Sequence, residues 1–343
     1  MKKYRIFLDV GTSNSRVYII DESSTLTACE KAPTGAGSTT VTGNNEKLKQ
    51  TLKSLLEKAL QSAGLTFADI LYIVSYGMIG SELGLKETPY CQGPANARLL
   101  AKHTESISLP EIAPLPEIAP LPIHIIPGIK TQPPDSQTPL DSDIMRGEEV
   151  EALGILSALP SSKQHTRLII LPGTHTKFVL AGSPHEITHS ATSMTGELLT
   201  ALTQHTILAP ILNHGYPQDP AHYLSYIRQG HDSYQKYGFG RACFLTRMLY
   251  KLYDYKKEQL ACYLLGAVLG NDITALCNMV SRLSTTKLQI IISGKEPFLT
   301  GLQHLLLYAH AFPGCEIIAL PIPSVPYSVS GAAVVMSHFR KDV

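Results

Sequence analysis

The chain opens on an apolar run, Ile6-Phe7-Leu8, that stops at Asp9, turns through Gly11-Thr12-Ser13-Asn14 and resumes beyond Arg16 as Val17-Tyr18-Ile19-Ile20. Two β-rich runs around a turn of small residues predict a β-hairpin. Residues 33–45, rich in Gly, Thr and Asn, read as a loop. Over 46–63 the apolar residues fall at Leu48, Leu52, Leu55, Leu56, Ala59 and Leu60, a helical spacing with a polar opposite face. Residues 70–74 form a short strand of the buried type that runs into the glycine-punctuated loop 75–81. In open α/β sheets, ligands gather at such carboxyl ends.

A second apolar–turn–apolar pattern comes later: strand 167–171, turn 172–176, returning strand 177–181. A helix over about 148–159 precedes it, and helices over 195–208, 216–228 and most of 239–278 come after. Strand 288–292 ends in Ser293-Gly294-Lys295; a helix over about 298–311, a strand over 316–320 and a small-residue helix over 330–339 complete the pattern. Between the halves, Pro-Glu-Ile-Ala-Pro-Leu occurs at 110–115 and again at 116–121. Its proline density excludes helix and central strand and favours an extended surface segment. The Pro/Asp/Ser loop 131–143 is the natural boundary between domains 1–140 and 141–343, with the last helix free to return to the first domain.

Composition narrows the function. A chain of 343 residues has material for about two domains. A formal net charge of +1 argues against a broad field for nucleic acid or an anionic membrane. No apolar stretch is expected to reach the roughly 20 residues of a membrane span, and Asp9 interrupts the first apolar run before it resembles a leader. The six cysteines are scattered without a C-x-x-C pair, as in reduced cytosolic proteins, and the thirteen histidines show no zinc spacing. The expected location is the cytoplasm.

The chemistry concentrates at the turns. Amides and hydroxyls of Gly11, Thr12, Ser13 and Asn14 can converge on an anion, and Asp9 beside them suits Mg²⁺ held through water. An ordinary hairpin with a polar turn gives the same local pattern. No G-x-x-x-x-G-K-[ST] occurs, so the chain is not a P-loop protein.

The two hairpins and the late Ser-Gly-Lys resemble, in order, the actin-like sugar kinase and ATPase fold. That resemblance implies an α/β protein of two ribonuclease-H-like domains facing a central cleft. Met145-Arg-Gly-Glu-Glu149, Pro172-Gly-Thr-His-Thr-Lys177 and Met194-Thr-Gly-Glu-Leu198 are similar to three motifs of the 2-dehydro-3-deoxygalactonokinase family. Residues 77–81, Pro89-Tyr90 and Pro94-Ala95 resemble that family too. Val10 and Phe178 stand where the family usually carries Trp, which this chain lacks altogether.

The resemblance implies an ATP- and Mg²⁺-dependent kinase that phosphorylates a 2-keto-3-deoxy sugar acid, 2-dehydro-3-deoxy-D-galactonate, at its terminal hydroxyl. Glu148 is the expected general base, with Glu149 the alternative, because a carboxylate can take the proton late in phosphoryl transfer. Acidic residues also favour helix starts for dipole reasons alone. Gly11, Thr12, Ser13, Asn14 and Arg16 would contact phosphate, as would Gly173, Thr174 and His175 with Lys177 in support. Ser293, Gly294 and Lys295 would border the adenosine. Arg146, whose planar fork suits a carboxylate, and Ser81, Glu149, Thr195 and Glu197 would bind substrate; a domain-boundary ion pair and a helix cap are the plainer readings of Arg146 and Thr195. Expected partners are the sugar acid and the nucleotide, with no nucleic acid and no membrane, and a homodimer is allowed. A phosphohydrolase of the same fold, like an exopolyphosphatase, or a non-catalytic sensor are the rival readings.

Overall fold

Each hairpin supplies the first two strands of a sheet, and the two sheets share one order over their first four strands. In the computed structural model, residues 3–113, 121–131, 141–160, 165–182, 185–281, 287–310 and 312–339 are described. Residues 114–120, most of the duplicated segment, and 132–140, the expected interdomain loop, lie outside them.

The first sheet contains β1 (Tyr4–Val10), β2 (Ser15–Ile20), β3 (Leu26–Ala32), β4 (Ile70–Gly77), β6 (Glu105–Ile107) and β7 (Ile123–Ile125), in the order β3-β2-β1-β4-β7-β6. Strand β1 runs antiparallel to β2 and parallel to β4, and β4 runs parallel to β7. The second contains β10 (Thr166–Leu171), β11 (Thr176–Gly182), β12 (Glu186–Ser193), β13 (Leu288–Ile292) and β14 (Glu316–Ala319), in the order β12-β11-β10-β13-β14. Here β10 is antiparallel to β11 and parallel to β13, and β13 is parallel to β14. The central strands are apolar on both faces because both faces are covered: Ile6, Phe7, Leu8 and Val10, like Leu168, Ile169 and Ile170, are fully buried. A small third sheet joins β5 (Cys91–Gln92), β8 (Ile129–Thr131) and β9 (Asp143–Met145) in the order β5-β8-β9.

The chain divides into two compact units. Unit 1 is Met1–Lys163 with Pro184–His189 and Pro323–Val343; unit 2 is Gln164–Ser183 with Ser190–Ile322. Unit 1 therefore runs past residue 140, the boundary expected from composition, and takes in α4 (Glu148–Ala158) and α11 (Tyr327–Phe339). The physical link is a close helix crossing. A Cβ on Gly154 would lie 1.9 Å from the Tyr327 carbonyl oxygen, and one on Gly331 would lie 1.7 Å from that of Val150. Without side chains at these positions the two helices meet backbone to backbone.

Unit 1 also holds α1 (Ser38–Thr42), α2 (Glu46–Ala63) and α3 (Ala97–Lys102). Helix α2 buries the six apolar residues of its predicted stripe and ends at Gly64 in the left-handed region, φ 66°. Helix α1 lies within the stretch read as a loop.

Unit 2 holds α5 (Thr195–His205), α6 (Ala209–Leu212), α7 (Leu224–Tyr237), α8 (Phe239–Tyr253), α9 (Lys257–Val280) and α10 (Phe298–Tyr308). The expectation that no stretch is long and apolar enough to cross a membrane fails for α9, which passes on length and composition. The reason is packing: α9 is the core helix of unit 2, with 78% of its most apolar window buried. Apolar residues all around a helix serve a protein interior as well as a bilayer.

Candidate active site

In unit 1, Arg16 Nη1 donates to Asp9 Oδ2 at 2.8 Å, across a directly opposed pair of β1 and β2. Burial outweighs the attraction of Arg16 and pushes the Asp9 carboxyl above its ordinary value. Asp9 Oδ1 makes no hydrogen bond among the described residues. The turn is tied from behind: Gly11 N–H donates to Asn14 O at 2.8 Å, while Gly11 O and Thr12 O accept from Ala36 and Gly37 at 3.0 and 2.9 Å. With these carbonyls engaged, Thr12 and Ser13 stand exposed at the tip and present donors.

The start of α4 is brought to the ends of β1 and β4. Gly147 has φ 115°, and a Cβ there would lie 3.3 Å from the Gly77 Cα. That backbone needs glycine. Glu148, half-buried, accepts the Arg146 N–H at 3.1 Å through Oε2. Glu149 is fully buried, and its two oxygens accept the Gly147 N–H at 2.9 and 2.7 Å. Burial, then the charge of Glu148, pushes the Glu149 carboxyl up to about 8.

The Arg146 guanidinium lies over the Tyr90 ring, 4.1 Å from its centroid. Nη1 and Nη2 donate to the hydroxyl and carbonyl of Thr88, each at 2.9 Å, and Nε is buried without a partner among the described residues. A cation held on an aromatic face with a donor to spare suits a carboxylate. Next to it, a Cβ on Gly80 would lie 2.7 Å from Arg146 Nη1. Ser81 donates to Met78 O at 2.7 Å.

Unit 2 repeats the tied turn. Thr174 O accepts the Glu197 N–H at 2.9 Å, and a Cβ on Gly196 would lie 2.2 Å from Gly173 O. The segment after β12 thus crosses this turn as residues 35–37 cross the first. Thr174 and His175 are exposed at the tip, and His175 Nε2 lies 2.9 Å from Glu197 Oε2. Lys177 is buried and donates to the Thr192 hydroxyl. The Ser293 N–H donates to Ile170 O at 3.0 Å, Gly294 abuts the Pro172 ring, and Lys295 is exposed. The loop after β13 therefore flanks the second turn.

Two expected substrate ligands face the interior. Thr195 is 1% exposed and Glu149 0%. The Thr195 hydroxyl donates to Asp272, on α9, at 2.7 and 2.8 Å to the two carboxylate oxygens. Burial pushes the Asp272 carboxyl up to about 6, against the Thr195 hydroxyl, which donates to it and favours its charge. Sequence reading missed Asp272, although a lone acid closing the apolar run 260–270 was a visible signal. It also left Thr88 and the role of Tyr90 unseen, because only the fold brings them to Arg146.

Residues 9–313 match the family model of 2-keto-3-deoxy-galactonokinase. The chain belongs to this family. It is 30% identical over 206 residues to a Rhizobium meliloti (strain 1021) protein named "Probable 2-dehydro-3-deoxygalactonokinase DgoK1", covering 60% of this chain and 58% of that one. The aligned chain thus spans under two thirds of that relative's length. It is 26% identical over 250 residues to the 2-dehydro-3-deoxygalactonokinase of Escherichia coli (strain K12), 72% of this chain and 73% of that one. Its fold matches the crystal structure of a Sinorhizobium meliloti protein assigned as a 2-dehydro-3-deoxygalactonokinase, with a TM-score of 0.71, 21% identity, and coverage of 98% and 99%. All three members of the expected motif set, at 145–149, 172–177 and 194–198, lie within the matched span of the family.

Proposed function

We propose that this kinase transfers the γ-phosphoryl group of ATP to the terminal hydroxyl of 2-dehydro-3-deoxy-D-galactonate, with Mg²⁺ as the metal. The observation that carries the reading is the second turn, Pro172–Lys177, built like the first and lying within the family match: in each turn a carbonyl accepts a hydrogen bond from the segment crossing behind it, and the tip is exposed. Such turns offer amide and hydroxyl donors to phosphate. Gly11 to Asn14 and Gly173 to His175 are the phosphate contacts, with Arg16 and Lys177 as fixed charge nearby. Ser293, Gly294 and Lys295 border the adenosine.

Asp9 fits a magnesium ion held through water, since its Oδ1 is a hard oxygen donor without a hydrogen bond among the described residues. When bound, the ion neutralises charge on the phosphate oxygens. Arg146 receives the sugar acid's carboxylate through its remaining N–H groups, anchored by Tyr90 and Thr88. Ser81 and Glu197 add polar contacts, while Thr195 and Glu149 support the site from behind.

The proton acceptor is Glu148. Its neighbour Glu149 is held protonated at neutral pH by burial, so it has no free carboxylate to offer. In the step, the substrate hydroxyl oxygen bonds to the γ-phosphorus as the bond to the β–γ bridging oxygen breaks. The hydroxyl proton passes to a Glu148 oxygen, and ADP leaves. The test is ADP release from ATP and Mg²⁺ with a panel of 2-keto-3-deoxy sugar acids. Turnover with the galactonate is expected; no ADP release with any of them, from folded protein, contradicts the reading.

A further inference from the structure

The second turn is backed by a carboxylate, where the first is tied by a neutral hydrogen bond. The shared strand order allows residues at equal places to be compared. Ser15 and Thr176 each open a returning strand, and both are fully buried. In unit 1 the Ser15 hydroxyl donates to the Thr34 carbonyl at 2.7 Å, a neutral bond that ties the hairpin to the segment crossing it. In unit 2 the tie comes from elsewhere in the sequence. Asp272 reaches in from α9 and accepts the Thr195 hydroxyl, with Ser193 Oγ 3.1 Å from Thr195 Oγ1.

Asp272 is 0% exposed, and among the described residues it forms no ion pair. A buried carboxylate without a cation is costly, so its place is informative. It sits at the junction of two segments flanking the second turn, bonded to Thr195 at the start of α5, which in turn reaches Ser193 at the end of β12. Fixing Thr195 also fixes the next two residues of α5. Gly196 touches Gly173 O, and the Glu197 N–H holds Thr174 O. A negative charge at the start of α5 also complements the helix dipole.

We propose that Asp272 is the positioning residue of the second phosphate turn: through Thr195 it holds the start of α5 against Gly173 and Thr174, and so sets the turn's shape for nucleotide phosphate. This rests on reading that turn as a phosphate contact.

The test uses the full-length protein and the variants D272N, T195V and T195S. It measures ATP affinity by calorimetry with Mg²⁺, KM for ATP and for the sugar acid, and amide exchange over 172–177 and 9–16. D272N and T195V are expected to weaken ATP binding about tenfold or more, as small misplacements of a binding group do. KM for the sugar acid stays within about twofold, and exchange quickens over 172–177 while 9–16 is unchanged. T195S, which keeps the hydroxyl, retains wild-type values. The double variant is no worse than either single one, because both break one link. Should D272N not fold, T195V carries the same test. Unchanged ATP binding and exchange in folded D272N or T195V overturns the inference, as does faster exchange spread over both hairpins. A wild type that binds ATP but phosphorylates no sugar acid sinks the proposed substrate and leaves this test standing. A wild type that binds no ATP overturns both.

Discussion

One step along a helix turns a side chain by about 100°, and at the start of α4 that step separates two glutamates. Glu148 is half-buried and Glu149 fully buried. The sequence Gly147-Glu148-Glu149 cannot distinguish them, because the facing is set by the φ of Gly147 and by its approach to Gly77. For E148Q, a loss in kcat of about 10²–10⁴ is expected with ATP affinity retained; a variant with near wild-type turnover would remove Glu148 from the role. For Glu149 the prediction is one of stability. Its folded pKa of about 8 lies above the ordinary 4.5, so between those values the native state keeps a proton that the unfolded chain releases. Stability is then lost as pH rises, by up to about 1.4 kcal/mol per pH unit within that window. E149Q should therefore melt above wild type at pH 8, with the gap closing towards pH 5. A gap that does not change with pH would contradict the buried, protonated carboxyl. Asp272 was hidden for another reason: its partner Thr195 is remote in sequence, and no local period announces such a bond.

Elements whose burial is one-sided or complete were legible. Helix α2 has the bounds its apolar spacing gives, and β13 is the apolar run 288–292. Strands β3 and β12 were not read as strands, since β3 carries Thr27, Glu30 and Lys31, and β12 Thr188, His189 and Thr192. Each is an edge strand of its sheet, where polar residues face water and blunt the apolar signal. The role of α11 was half visible: its Gly331-Ala332-Ala333 announced close packing, but not against which helix. The crossing with α4 gives a direct test. G331A puts a methyl group where the Val150 carbonyl stands, so the helices must separate, at a cost of about 1–3 kcal/mol. A thermal melt should show the loss, and an unchanged Tm would deny the contact.

At the scale of the whole chain, the net charge of +1 and the dispersed histidines pointed to no partner and named no activity. The repeated hairpin did more, because two such turns in one chain are what a doubled sheet order requires. The division into units was less legible: α4 comes after the Pro-rich loop in sequence yet groups with unit 1. Ligand binding offers a test at this scale. ATP with Mg²⁺ at a hundred times Kd should stabilise the protein by about 2.7 kcal/mol, seen as a rise in Tm that EDTA reduces. A Tm indifferent to ATP with Mg²⁺ would count against nucleotide binding.

The backbone contact between α4 and α11 also has a consequence in time. On the ribosome, α4 is made early, and the helix that covers it only after all of unit 2. From Ala158 to Tyr327 the ribosome adds roughly 170 residues, which takes on the order of ten to thirty seconds at usual speeds. Throughout that interval the glycine face of α4 stays uncovered, so unit 1 begins first and is completed last.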